Sequence, residues 1–283
     1  LINFKHAIEQ LQSTTIQLYN DMLNFGIAKE VARFHKSLPN YSVTPLIELP
    51  TIAAELGVGR VFIKDESARM NLSAFKILGA AWAVAQALTD GANPADIDDV
   101  KVAIDSENKP TLVAATDGNH GRAVAHMAKR LGLECAIVIP DGVSEQAINN
   151  IAGEGAEITI IDGNYDEAVE LAKEITSTLD NSIHIQDMSW PGYEQIPNWI
   201  IEGYTTLCVE TDEQLRELGD DVHAVTDVTG YGLAGHGWEV AERGGVRLHI
   251  DAQNIVAYPG ALKAATEGMR TGGDPRNRTY VEG

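Results

Sequence analysis

Cysteine is scarce: only Cys135 and Cys208 occur in 283 residues. One sits in an apolar run of strand character and the other in a helical stretch, so a disulfide framework is excluded and a reducing compartment is expected. Long apolar runs are also missing. None approaches the roughly 18 residues of a membrane span, and residues 1–12 carry charge where a secretory leader would be apolar. The expectation is a cytoplasmic protein with no membrane partner. Basic residues are few, 21 Lys and Arg against 41 Asp and Glu, for a net charge of -20. Such a surface repels phosphate backbones and argues against nucleic acid. The acids are scattered (Asp96, Asp98, Asp99, Glu167, Glu170, Glu210, Glu213) and read as a solvated surface. No internal repeat is present. The chain opens on Leu1 without Met and stops at Val281-Glu282-Gly283, which reads as a fragment or processed product.

What is present is α/β rhythm. With 44% hydrophobic residues the chain can bury a substantial core, and its length suits about two domains. Short β-branched runs (61–64, 112–115, 135–139, 157–161, 183–186) alternate with helix-period segments (74–87, 120–131, 145–152, 165–178, 191–207), a pattern that builds open parallel sheets with flanking helices. Residues 2–36 predict one or two helices, and 91–110, with Pro94 and Pro110, a surface excursion. After Gly219 a short βαβ-like segment is expected: strands at 222–226 and 246–251 around a helix at 233–243. The tail from Thr271 offers no apolar face and is expected to be poorly ordered.

Lys76 follows Phe75 at the start of an apolar helix, where packing would hold its stem and desolvate its amine. Desolvation lowers a lysine pKa and frees the amine to attack aldehydes, as Schiff-base chemistry with pyridoxal phosphate requires. A lysine at a helix start is also commonly just solvated. A second element narrows the choice: the strand at 112–115 runs into Thr116-Asp117-Gly118-Asn119-His120-Gly121 and then a helix. Such a junction presents backbone N–H groups that hold a carboxylate or phosphate; Asn119 can donate to a ring oxygen, and Asp117 is a candidate base. The alternative is plain turn chemistry with Asn119 capping the helix.

Together these residues resemble the pyridoxal-phosphate enzymes of the tryptophan-synthase-β type (fold type II), and within them the 2,3-diaminopropionate ammonia-lyases, over about residues 34–219. The resemblance includes Tyr41-Ser42-Val43-Thr44-Pro45-Leu46, Ile63-Lys64-Asp65-Glu66-Ser67, Ala74-Phe75-Lys76, residues 116–121, Gln186-Asp187, Trp190, Gly192-Tyr193 and Glu202-Gly203-Tyr204. Related serine and threonine dehydratases have Arg two residues after the lysine and Ser in place of Asp117; here Leu78 and Asp117 stand. The resemblance implies elimination of ammonia from a small amino-acid substrate, giving pyruvate. Lys76 and Phe75, with Asn119, would bind the cofactor, Thr116, Gly118, His120 and Gly121 the substrate, and Asp117 and Asp187 would serve as bases for opposite enantiomers. Such bases are expected to have carboxyl pKa values raised toward neutrality. By its own context Asp187 reads rather as a strand-end acid capping the next turn. The family continues past Gly219 into a glycine loop for the cofactor phosphate, which this sequence lacks.

A second motif, Thr226-Asp227-Val228-Thr229-Gly230-Tyr231-Gly232, followed by His236 and Glu239, resembles the selenide, water dikinases over about 222–283. That resemblance implies a magnesium and ATP role for Asp227 and a seam near 219–223, with a lyase-like region over 1–221 (its smaller subdomain about 112–190). Gly230 and Gly232 open a helix where the lyase would place its phosphate loop, so they are candidate cofactor-phosphate binders or a plain tight turn. Three readings follow: a truncated lyase that associates, as a homodimer, through faces left uncovered; a fragment for ATP-dependent selenophosphate synthesis; or a fused product without catalysis.

Overall fold

The computed structural model describes residues 26–218, 222, 224–227, 229, 232–250, 255, 257, 259–269 and 278. The chain divides into two compact units, one spanning Met22–Glu217 and the other holding the residues from Leu218 onward.

The first unit opens with α1 (Ile27–Ser37), β1 (Leu46–Glu48), α2 (Pro50–Leu56) and β2 (Phe62–Lys64). β1 and β2 pair antiparallel, Ile47 opposite Ile63. A 3-10 turn at Arg69–Asn71 leads into α3 (Lys76–Leu88). The expected excursion at 91–110 contains a further helix, α4 (Ile97–Ala103), whose N-cap Asp96 accepts from the N–H groups of Asp98 and Asp99. Only Val100 of α4 is buried, so its apolar period was too short to read.

The βαβ rhythm then runs as expected: β3 (Thr111–Ala115), α5 (Asn119–Leu131), β4 (Cys135–Ile139), α6 (Glu145–Gly153), β5 (Glu157–Ile160), α7 (Tyr165–Thr178), β6 (Ser182–His184) and α8 (Gln195–Leu215). All four strands pair in parallel, in the order β5-β4-β3-β6. β3 and β4, the two inner strands, are nearly all buried and read as unbroken apolar runs, as strands covered on both faces must.

α3 is apolar on all sides, and ten consecutive residues, Ile77 to Gln86, are buried. Helix α8 closes on it through glycines. A Cβ at Gly203 would lie 2.5 Å from the Leu78 carbonyl oxygen, and one at Gly79 2.7 Å from the Tyr204 ring, so neither position admits a side chain without displacing its neighbour. α1 packs on both helices through His35, whose ring nitrogens meet the Thr206 hydroxyl at 2.7 Å and the Leu78 carbonyl at 2.9 Å.

The second unit contains α9 (Gly232–Gly244) and α10 (Ala261–Thr266). The two strands expected here do not form among the described residues of 222–226 and 246–250, which are exposed and carry no ladder. β-branched content is insufficient on its own, because a strand needs a partner to satisfy its backbone. Gly230, Tyr231 and the tail at 271–277 and 279–283 lie outside the described residues, as do residues 2–25 of the stretch 2–36 expected to form one or two helices; from Ile27 onward that stretch is helical in α1.

Candidate active site

The sheet order places β3 between β4, which follows it in the chain, and β6, which returns after β5. The gap beyond the carboxyl ends of β3 and β6 is therefore the topological switch point, where open α/β sheets bind ligands. Both expected acids stand just past those ends: Asp117 two residues beyond β3 and Asp187 three beyond β6.

The side chain of Gln186 joins the two strands. Its Oε1 accepts from the Ala115 N–H at 2.9 Å and its Nε2 donates to the Ala115 carbonyl at 3.2 Å, so an amide side chain stands in for the next rung of the ladder. That is why β6 ends at His184 rather than at the expected Gln186. Nε2 also donates to the Tyr165 hydroxyl at 2.8 Å, and Tyr165 in turn donates to Asp187 Oδ1 at 3.4 Å.

On the β3 side, Thr116 is buried and its Oγ1 accepts from the N–H groups of Gly118 and Gly121, each at 3.0 Å. This closes the turn and fixes the direction of α5. Gly121 is required by contact: a Cβ there would lie 2.2 Å from Thr116 Cγ2. Gly118 is the N-cap and Asn119 the first helical residue, with no side-chain capping bond, which overturns the alternative of Asn119 as a cap. The first-turn N–H groups of Asn119 and His120 have no intrahelical acceptor, so the helix start can take an anion.

Lys76 reaches this point from the first residue of α3. The loop that delivers it carries Met70, Asn71 and Ser73 at φ of 48°, 64° and 61°. Non-glycine residues in that region cost of order 1–3 kcal/mol each and persist only where the surroundings over-determine them. Here the Arg69 guanidinium does so. It is fully buried, with Glu66 at 2.7 Å and Glu210 at 2.8 Å, while Arg122 holds the Leu72 carbonyl at 3.2 Å. Lys64 at 2.8 Å and the Tyr41 hydroxyl at 2.7 Å complete the shell around Glu210. Burial would raise its carboxyl, but the bonds from Arg69, Lys64 and Tyr41 prevail and hold it near pKa 2.

The Lys76 amine lies 3.3 Å from Asp187 Oδ2 and 5.8 Å from the ring centroids of Phe75 and Tyr204. Burial works to lower its pKa, yet the electrostatic and hydrogen-bonding contributions of Tyr204 and Asp187 outweigh it and the pKa is raised. The expected depression of Lys76 is thus reversed, because desolvation is accompanied by an acid. The expected elevation of Asp187 is reversed as well: burial pushes it up, but His120 and Lys76 pull it below the ordinary carboxylate value. Its partners are Lys76, Tyr165 and Gln186, which overturns the alternative of a turn cap.

The structure thus brings Lys76, Asp187, His120 and Phe75 to one place, with Thr116 and Gly121 building the turn beside them. Asp117 and Asn119 are exposed on that turn. Gly230 lies outside the described residues, and Gly232 opens α9 at φ 83°. Asp227 sits in the second unit, with its carboxylate 3.2 Å from His236 Nδ1. Tyr165 and the buried Arg69–Glu210 shell were not foreseen. A tyrosine at a helix start and acids scattered over distant elements leave no periodic signal.

A profile of the pyridoxal-phosphate dependent enzymes matches residues 38–280. The diaminopropionate ammonia-lyase of Salmonella typhimurium is 46% identical over 205 residues, covering 69% of this chain and 50% of that protein. The Escherichia coli K12 protein of the same name is 39% identical over 196 residues, covering 68% of this chain and 48% of its own length. The chain therefore spans about half the length of these relatives. The crystal structure of the Escherichia coli diaminopropionate ammonia lyase in apo form aligns with a TM-score of 0.64 at 38% identity, over 69% of this chain and 54% of that one. The fold, the lysine at the switch point and the profile agree: this chain belongs to the pyridoxal-phosphate dependent enzymes.

Proposed function

We propose that the chain is the lysine-bearing part of a lyase that removes ammonia from 2,3-diaminopropionate, giving pyruvate and ammonia. The observation that carries this reading is the Lys76 amine at a helix start, 3.3 Å from Asp187 at the switch point of the sheet. Relatives bearing that activity's name support the substrate.

The residues present fit an aldehyde cofactor. Lys76 offers an amine that is 29% exposed, between the Phe75 and Tyr204 rings and beside an open helix start. When bound, pyridoxal phosphate supplies an electron-withdrawing ring that weakens the Cα–H bond of the substrate. Lys76 must shed a proton to solvent before it can act as a nucleophile, which leaves Asp187 an ionised carboxylate able to accept one from the substrate. Once Lys76 is no longer an ammonium, Asp187 loses the cation beside it and its proton affinity climbs, as a base at Cα requires. Tyr165 holds its other oxygen and fixes its orientation. The turn formed by Thr116, Gly118, Asn119, His120 and Gly121 receives the substrate carboxylate at the start of α5. Asp117 on that same turn is the base for the opposite enantiomer.

Mixing the protein with pyridoxal phosphate should give the visible absorption of a lysine-bound cofactor, absent in Lys76→Ala. A band unchanged in that variant refutes the assignment. Asp117→Asn and Asp187→Asn should each abolish pyruvate release from a different enantiomer. Equal loss of both activities in both variants sinks the two-base scheme.

The proposal includes a homodimer, supported by the exposed Val43, Ile47 and Ile63 around the small sheet, to be checked by sedimentation velocity. It also includes a cytoplasmic setting. A distinct ancestry for residues 222–283 remains part of the proposal, on the resemblance to the selenide, water dikinases. Sequencing source DNA across codons 216–225 tests it. A second reading attaches to that unit, because the ligand atoms of Asp227, His236 and Glu239 lie within 4.8 Å of one another. Such a set can hold a divalent cation, as ATP-dependent chemistry requires. Magnesium-dependent ATP binding that is unchanged in Asp227→Ala would dismiss it.

A further inference from the structure

His120 stands on the first turn of α5 and its side chain is buried. Its Nε2 lies 2.8 Å from the Ile185 carbonyl oxygen. A carbonyl only accepts, so Nε2 keeps its hydrogen in every protonation state, and Nδ1 is the nitrogen that titrates. Nδ1 is buried without a hydrogen-bond partner. A buried nitrogen in that position is unusual and points to a proton it receives in another state. It faces Asp187 Oδ2 at 3.8 Å, the same oxygen that meets the Lys76 amine. A movement of about 1 Å brings the two atoms within hydrogen-bond distance.

We propose that His120 is a positioning residue that stores the proton collected by Asp187, so that the two work as one proton-sharing pair. The inference rests on the lyase reading above. In the step, the substrate Cα–H bond breaks and an O–H bond forms on Asp187, while the electron pair stays with the substrate. The proton then passes from Oδ2 to Nδ1, leaving an imidazolium beside a restored carboxylate. It returns by the same route to the β-amino nitrogen, which departs with its bonding electrons as the Cα–Cβ double bond forms. Asp117 is exposed and has no such partner, so the pair serves only the enantiomer that Asp187 deprotonates.

The other titratable groups at the pair are settled. The Lys76 amine holds Oδ2 and the Tyr165 hydroxyl holds Oδ1 at 3.4 Å. His184 is kept neutral by burial, with a pKa of about 4, and burial pushes the Tyr193 hydroxyl well above its usual range. Besides the Lys76 amine, Nδ1 of His120 is thus the remaining place for a mobile proton near Asp187.

Nitrogen-15 NMR of the full-length, cofactor-free protein reads the pair without turnover. The expectation is that Nε2 of His120 carries its hydrogen throughout and that Asp187→Asn moves the Nδ1 resonance, since the substitution removes the anion facing that nitrogen. Loss of the hydrogen from Nε2, or an Nδ1 resonance unmoved by the substitution, overturns the proposal. The carbon-13 carboxyl signal of Asp187 in wild type and His120→Asn gives the same coupling from the other side, independently of one variant's folding. In turnover, His120→Asn should lower kcat at least about tenfold for the Asp187 enantiomer, with KM and the other enantiomer little changed. Equal loss for both enantiomers overturns the proposal. Coupled NMR titration in a protein that does not turn over diaminopropionate supports the pair and refutes the substrate.

Discussion

Acidification should loosen the lyase-like unit through His35 before it touches most carboxylates. The ring is fully buried between α1, α3 and α8, and desolvation drives its pKa from 6.5 to about 3. In the unfolded chain the same imidazole takes up a proton near pH 6.5, so the native contribution is complete above that pH and is lost as pH falls toward 3. Each pH unit below 6.5 then removes about 1.4 kcal/mol, or about 2 kcal/mol by pH 5. That is a large part of an ordinary domain's stability of about 5–15 kcal/mol. The measurement is urea unfolding of wild type and His35→Gln at several pH values between about 7.5 and 5, taking the difference in unfolding free energy at each. Glutamine keeps a donor and an acceptor but does not titrate, and subtraction cancels the other histidines and carboxylates. The difference should shrink by about 2 kcal/mol across that range, the wild type losing stability faster. Parallel curves would refute the reasoning, because His35 would then have the same pKa folded and unfolded.

Three further outcomes follow from the same packing. Glu210→Gln leaves the buried Arg69 with Glu66 as its remaining carboxylate and the half-buried Lys64 against a neutral partner, and should cost about 2–3 kcal/mol near neutral pH, measured by urea unfolding. The penalty should fade as pH drops from 4.5 toward 2, where the wild-type carboxylate is itself protonated. Gly203→Ala drives a methyl into the Leu78 carbonyl and should destabilise by about 1–3 kcal/mol and weaken cofactor binding at Lys76, read by the visible band. The Cys135 thiol is pushed up to about 12 by burial, so iodoacetamide at about pH 8 should label it only after denaturation.

The parts of the fold that were legible in the sequence are those that repeat. β3, β4 and α3 are buried on every side, so their apolar runs announce them without help from the rest of the chain. α4 and α2 each bury a single residue and leave only caps and turn residues to read. The extended runs at 222–226 and 246–250 failed in the opposite sense, since their β-branched residues promise strands that have no partner among the described residues. The site divides the same way. Lys76, Asp117 and Asp187 were singled out through short motifs and the family resemblance, but the pKa directions expected for Lys76 and Asp187 are reversed, because a motif carries no information about the group across the gap. Desolvation of Lys76 and of Asp187 was anticipated for each alone, and the structure sets the two against one another, which reverses both shifts.

Under the proposed function, that mutual pairing would keep the resting site self-inhibited. An ammonium 3.3 Å from a carboxylate is neither a nucleophile nor, while it remains, a neighbour that lets the acid act as a strong base. Removing the positive charge from Lys76 changes both at once: the lysine ceases to hold Oδ2, and Asp187 is left with His120 as its proton partner. Under the proposed function, the acid would thus gain basicity only after Lys76 has given up its charge. A Lys76→Met variant isolates this link, because it removes the charge without any cofactor. Burial and the loss of an ion pair then act in the same direction, and the Asp187 carboxyl should titrate at least about one unit higher than in wild type by carbon-13 NMR. An unchanged Asp187 titration would mean that His120 and solvent, rather than Lys76, hold the carboxylate ionised, and the coupling between nucleophile and base would have to be abandoned.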